Sequence, residues 1–201
     1  MRAVIIGNGD IKNYGYIKSL IKADDYIICA DGGLRHLGDL GINADIAMGD
    51  FDSAEADKDI RVISYPVDKD LTDGEIAVNY AINNGYSEIL MIAMTGSRLD
   101  HTLTNIMLLT KSDKMCLIDD TNEVYVIRDE LEITDKKGKT LSIIPVNGNL
   151  TSVHSEGLKY ELKGETLFFA TGKGNSNIIT DNFCRIRIKE GIGMVIINNG
   201  E

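Results

Sequence analysis

Two acidic corners, each at the end of a short apolar run, constrain this chain more than any other feature. The first is Cys29-Ala30-Asp31-Gly32-Gly33, after Tyr26-Ile27-Ile28, and the second is Ile46-Ala47-Met48-Gly49-Asp50-Phe51-Asp52-Ser53. Apolar runs of this kind read as strands of a parallel sheet, buried on both faces. Asp31, Asp50 and Asp52 then stand at strand ends, the edge of an open α/β sheet where ligands bind. Carboxylates gathered there are costly unless paired, hydrogen-bonded or bound to a cation. Three on one rim suggest a divalent metal and a phosphorylated ligand.

Strand and helix signals alternate from the N-terminus to about Asp119, which implies a mostly parallel sheet. Ala3–Ile6 reads as the first strand. It runs into Gly7-Asn8-Gly9-Asp10, either a plain turn or a phosphate-facing loop; Lys12 occupies the third glycine position of the dinucleotide fingerprint, so that motif is incomplete. A helix over 16–21, a strand over 26–30 and a helix over 33–40 follow, the last stopped by Gly41 as a C-cap. Strands are expected at 46–48 and 61–65. Asp68-Lys69-Asp70-Leu71-Thr72-Asp73 makes a third acidic corner, with Thr72 as N-cap and Glu75 completing a capping box for a helix reaching about Asn83. Asp73 has two readings, a ligand or an acid offsetting the helix dipole. A strand over 89–94 feeds Thr95-Gly96-Ser97-Arg98-Leu99-Asp100-His101 and a helix over about 101–109, for which Asp100 is a natural N-cap. Arg98, a cation at a strand end among acids, suits phosphate recognition or an ion pair. A sixth strand is expected at 116–118.

The character changes after Asp119. Short β runs are expected at 123–127, 140–145, 167–169, 184–189 and 194–197, and Cys184–Lys189 alternates strictly, as a half-buried strand does. The expected architecture is therefore an α/β domain over 1–120 with a mostly parallel sheet, then an all-β, sandwich-like domain over 121–201. Within the latter, Thr171-Gly172-Lys173-Gly174-Asn175-Ser176-Asn177 is a hairpin loop or a ligand loop; it is not a P-loop.

The formal net charge is −10 over 201 residues, and no basic tract exists to neutralise nucleic-acid phosphates. No run approaches the roughly 20 apolar residues of a membrane span. Cys29, Cys116 and Cys184 are far apart with no paired spacing, so neither a disulfide framework nor a zinc site is expected, and a reducing cytoplasm is the default compartment. His36, His101 and His154 share no metal-ligand spacing and read as structural or exposed.

Taken together, Asp31-Gly32-Gly33, Gly49-Asp50-Phe51-Asp52-Ser53, Lys69-Asp70-Leu71-Thr72-Asp73, Gly96-Ser97-Arg98-Leu99-Asp100-His101-Thr102-Leu103 with Asn105, and Ser176-Asn177 resemble the thiamine pyrophosphokinase family over most of the chain. Ser97 departs from it, standing where the family often carries a second glycine. The resemblance implies an ATP-dependent pyrophosphotransferase that converts thiamine to thiamine diphosphate and releases AMP, with magnesium as cofactor. It implies Asp50, Asp52 and Asp73 at the metal, with Asp70 beside them. It places Asp31, Gly32, Gly33 and Thr72 near the nucleotide or metal shell, and Arg98 on phosphate. Asp100 orients Arg98 or binds substrate. It further implies a homodimer with shared active sites, in which Ser176 and Asn177 hold thiamine. The alternatives are another magnesium-dependent phosphotransferase or hydrolase, and a non-catalytic thiamine sensor.

Overall fold

The computed structural model describes residues 1–49, 60–64, 70–96 and 98–200, which fall into two compact units, Met1–Asp120 and Thr121–Glu201. The first unit carries six strands: β1 (Arg2–Ile6), β2 (Tyr26–Ala30), β3 (Ile46–Gly49), β4 (Arg61–Ser64), β5 (Glu88–Ile92) and β6 (Met115–Ile118). They pair in the order β6-β5-β1-β2-β3-β4, and every pair is parallel. Burial explains the order. The central strands β1, β2, β3 and β5 are apolar and almost wholly inaccessible, whereas β4, at the edge, is largely exposed. One core cluster gathers Val4, Ile6, Ile17, Ile27, Leu40 and Ile92 beneath the helices. Each such side chain contributes roughly 1.5–3 kcal/mol when fully buried.

The helices end where their caps dictate. Helix α1 (Tyr14–Ser19) starts on Asn13, whose side chain accepts the N–H of Tyr16. The segment expected as one helix over 33–40 begins as a 3-10 turn, Asp31–His36, and becomes α-helical only over Leu37–Leu40 (α2), where left-handed Gly41 stops it. Helix α3 (Asp73–Asn83) is capped by Thr72, whose Oγ1 accepts the N–H of Glu75 at 3.1 Å. The other half of the expected capping box does not form, because Glu75 instead receives Lys111 Nζ at 2.8 Å. Helix α4 (Leu99–Leu108) begins two residues earlier than expected, so Arg98 is the N-cap position and Asp100 lies inside the first turn.

Two glycines on one segment make a paired prediction. A Cβ on Gly33 would fall on the carbonyl of Ile6, main chain that cannot yield, whereas a Cβ on Gly38 meets nothing within 4 Å. Gly33→Ala should cost about 1–3 kcal/mol by overpacking. Gly38→Ala should stabilise the fold by about 0.5–1 kcal/mol through helix propensity. Urea midpoints that move together would refute the assignment.

The second unit contains β7 (Asn122–Ile127), β8 (Glu130–Thr134), β9 (Thr140–Pro145), β10 (Leu150–Glu156), β11 (Lys163–Leu167), β12 (Asn177–Ile178), β13 (Phe183–Arg187) and β14 (Gly193–Asn198). Two antiparallel sheets, β12-β9-β14-β7 and β11-β10-β13-β8, face a common core of Leu141, Ile143, Val195 and Ile197 from one and Leu150, Val153, Cys184 and Ile186 from the other. This is a β-sandwich. The strand expected at 167–169 sits earlier: only Leu167 belongs to β11, and Phe168 and Phe169 project beyond it, exposed. This unit also buries a carboxylate. Glu123, 2% exposed, accepts Lys136 Nζ and Asn199 Nδ2 (2.7 Å) on one oxygen and the Tyr125 hydroxyl (2.8 Å) on the other. Burial alone would raise its pKa, but these bonds overcome that and hold it below the usual glutamate value.

Candidate active site

Strands β1 and β5 are neighbours, yet the chain leaves them in opposite directions, β1 toward β2 and β5 toward β6. That divergence opens a crevice at their carboxyl ends, the position where open α/β sheets bind ligands. A cavity of about 450 Å³ lies there. Its walls are Gly7–Asp10 after β1, Asp31 after β2, Thr72–Gly74 at the start of α3, Ala93–Gly96 after β5, and Arg98, His101, Thr102 and Asn105 of the α4 segment.

Of the residues given a catalytic or binding role in the sequence, Asp31, Thr72, Asp73 and Arg98 meet on this cavity. Asp31 is held left-handed, at φ 46°, and so is Ala93, at φ 53°. Such a backbone costs roughly 1–2 kcal/mol for a residue with a Cβ, and strain of this kind collects at ligand sites. Gly49 accommodates the Asp31 turn, since a Cβ there would lie 3.0 Å from Asp31 Cα.

Gly32 and Gly33 do not line the cavity; their part is close packing. A Cβ on Gly32 would meet the Asn8 carboxamide at 2.5 Å. Asp70 is exposed and also off the cavity. Asp100 stands behind Arg98, forked onto it through Nη2–Oδ2 at 2.6 Å and Nε–Oδ1 at 3.3 Å. The Arg98 guanidinium, with a smaller part from the His101 N–H, draws the Asp100 carboxyl down to about 2. Both side chains are about two-thirds exposed, so the pair orients Arg98 rather than stabilising the fold. Asp50, Asp52 and Ser97 lie outside the described residues. Among the described residues no three acids, histidines or cysteines converge as a metal site.

Asn105 and the Gly7–Asp10 loop were singled out in the sequence, but the contacts that hold them carried no signal there. Asn105 donates Nδ2 to the Met94 carbonyl at 2.8 Å, and Gly74 leaves room for its Oδ1. The Gly7–Asp10 loop is bonded on both sides. Its N–H groups at Gly7, Gly9 and Asp10 donate to the carbonyls of Ile92, Ala93 and Thr95, at 3.0, 2.6 and 3.1 Å. Its carbonyls at Asn8 and Gly9 accept from Arg35 Nη2, at 3.0 and 2.9 Å. His36, 2% exposed, reaches the Gly9 carbonyl through Nε2 at 2.9 Å and the Tyr14 hydroxyl through Nδ1 at 2.8 Å. The neutral tautomer protonated on Nε2 satisfies both and leaves the longer Arg35 Nε–His36 Nε2 approach, 3.3 Å, without a hydrogen bond; burial pushes the His36 pKa down in keeping with a neutral ring.

In the second unit, Ser176 is left-handed at φ 59° and donates its N–H to Ser142 Oγ at 3.0 Å. The Asn177 amide is engaged by main chain: Oδ1 accepts the Tyr160 N–H at 3.0 Å, and Nδ2 donates to the Tyr160 carbonyl at 2.7 Å.

A parallel sheet with acids at its switch point, followed by a β-sandwich, defines a class: two-unit α/β enzymes that act on a ligand at the sheet's carboxyl edge. Residues 17–118 match the family model described as thiamin pyrophosphokinase, catalytic domain, and residues 125–193 match thiamin pyrophosphokinase, vitamin B1 binding domain. The thiamine pyrophosphokinase of Bacillus subtilis is 32% identical over 148 residues, covering 67% of this chain and 69% of its own length. The crystal structure of a Bacillus subtilis thiamine pyrophosphokinase superposes with a TM-score of 0.89 at 25% identity, covering 100% of both chains. That of the Geobacillus thermodenitrificans enzyme gives 0.87 at 26% identity, covering 100% of this chain and 99% of its own. The chain belongs to the thiamin pyrophosphokinase family.

Proposed function

We propose that this enzyme moves a pyrophosphoryl group from ATP to the hydroxyl of thiamine. The thiamine oxygen bonds to the β-phosphorus, the bridge between the α- and β-phosphorus breaks, and AMP leaves with the bridging oxygen. The hydroxyl proton is released as the new bond forms. The observation that carries this reading is the convergence of Asp31, Thr72, Asp73 and Arg98 on one cavity at the sheet's switch point. Phosphoryl transfer asks mainly for positioning and charge neutralisation, which such a site supplies.

Arg98, aimed by Asp100, takes phosphate oxygens. Thr72 keeps the start of α3 turned to the ligand. Magnesium suits this donor set, since it takes one or two carboxylates and fills its remaining positions with phosphate oxygens and water. Asp73 would hold it, with Asp50 and Asp52 from the GDFDS corner and Asp70 beside them, and Asp31 at the shell. Bound there, the ion would supply neutralisation of the polyphosphate charge. Ser176 and Asn177 are assigned to thiamine; with its amide spanning the Tyr160 main chain, Asn177 fixes the loop that offers Ser176. Thiamine is cationic, and the acidic surface favours its approach. The working form is a cytoplasmic homodimer in which each site draws on both copies. None of the described helices is long and apolar enough to cross a membrane.

The test is incubation with ATP, magnesium and thiamine. AMP and thiamine diphosphate should appear in equal amounts. Release of ADP, or turnover that ignores thiamine, would overturn the reading.

A further inference from the structure

We propose that Arg35 and His36 are positioning residues that set the electrostatic face of the Gly7–Asp10 loop toward the polyphosphate. The inference rests on the reading that ATP occupies this cavity. The loop forms one of the cavity's walls, but neither Arg35 nor His36 lines it. Both act from behind, on main-chain carbonyls some 27 residues earlier in the chain.

The chemistry lies in which peptide groups the loop leaves for a ligand. Carbonyl oxygens facing a polyphosphate repel it, whereas N–H groups and amides attract it. Arg35 takes the carbonyls of both Asn8 and Gly9, and His36 takes that of Gly9 again. On the other side, the N–H groups of Gly7, Gly9 and Asp10 are bound to the exit of β5. Among the described residues the N–H of Asn8 has no acceptor, and Asn8 lines the cavity with its side chain exposed. The clamp therefore removes two acceptors from the phosphate side and leaves a donor there. Tyr14 completes it by fixing the His36 ring through Nδ1. Arg35 has two looser contacts besides, Nε to His36 Nε2 at 3.3 Å and Nη2 to the mostly exposed Asp10 carboxylate at 3.7 Å, the latter too loose to hold the guanidinium by itself.

Losing the clamp should weaken ATP binding while leaving the reacting groups in place. Arg35→Ala is expected to raise KM for ATP about tenfold, the equivalent of about 1.4 kcal/mol. The expected change in kcat is less than about threefold, with KM for thiamine unchanged; millimolar guanidinium should restore much of the loss, and sodium at equal ionic strength should not. Arg35→Lys, which can reach one carbonyl, should fall between. Should Arg35→Ala fail to fold, His36→Gln gives the same direction of effect on a milder scale. A folded Arg35→Ala enzyme with the parent's KM for ATP overturns the inference, whatever its melting temperature, and so does a loss that guanidinium cannot rescue. A parent enzyme that makes no thiamine diphosphate sinks the functional reading first, and is told apart by the absence of product before any substitution is made.

Discussion

Asp73→Asn is expected to lower kcat by on the order of 10²–10³, the scale seen when one preorganised charge partner of a transition state is removed. The substitution keeps shape and volume and removes a single negative charge. Asp73 opens α3 and lines the cavity, so the loss falls on whatever positive charge the ligand brings there. The same acid also faces the helix N-terminus, a contribution of only about 0.3–1 kcal/mol. Stability should therefore barely move while turnover collapses, which separates the two readings of this residue. The magnesium concentration at half-maximal rate should rise in parallel. Glu75→Gln is the control. It sits in the same turn and pairs with Lys111, off the cavity, so its turnover should stay within about twofold of the parent. An Asp73→Asn enzyme keeping a third or more of parental activity would remove Asp73 from the mechanism.

Glu123→Ala should cost the β-sandwich about 2–4 kcal/mol, because truncating one member of a buried charged cluster strands the others. Lys136, Asn199 and Tyr125 would each lose an acceptor at once. The effect has a pH signature. The folded pKa of Glu123 lies below its ordinary value of 4.5, so the stabilisation is complete above about pH 4.5 and is lost as pH falls through the folded value. The gap in urea midpoint between parent and Glu123→Ala should thus be widest near neutrality and shrink below about pH 4. A gap independent of pH would mean that Glu123 acts through packing alone.

The fold was legible where side-chain periodicity and burial agree. Tyr26–Ala30 and Thr140–Pro145 were readable to the residue, one because its apolar run is buried almost throughout, the other because burial alternates along it. Reading failed where a strand carries little apolar area. Glu130–Thr134 buries one side chain, Ile133, and has charge at alternate positions, so it looks like a turn. Leu150–Glu156 breaks its own alternation with a register shift and a left-handed Ser152. In the site, Asp31, Thr72, Asp73 and Arg98 were visible because acids, caps and cations at strand ends leave a pattern in one dimension. Arg35 and His36 were not, since their partners are main-chain carbonyls, which have no letter in a sequence. The α4 cap position lies at Arg98 and not Asp100 for a different reason: the Asp100 carboxylate is taken by its fork with Arg98, a pairing the sequence does not distinguish from capping.

The second unit has one more property, set by where its ends meet. The main-chain N–H of Asn199 donates to the carbonyl of Thr121 at 2.6 Å, so the strand that enters the sandwich and the strand that leaves it finish side by side. A module whose two ends coincide can be lifted out, spliced into another host or reopened at a distant turn without stretching its backbone. The Gly138 turn, left-handed at φ 85° with nothing within 4 Å of where a Cβ would stand, is a place to cut such a rearranged version, with the Gly138 N–H bond to the Ile179 carbonyl as a main-chain contact there.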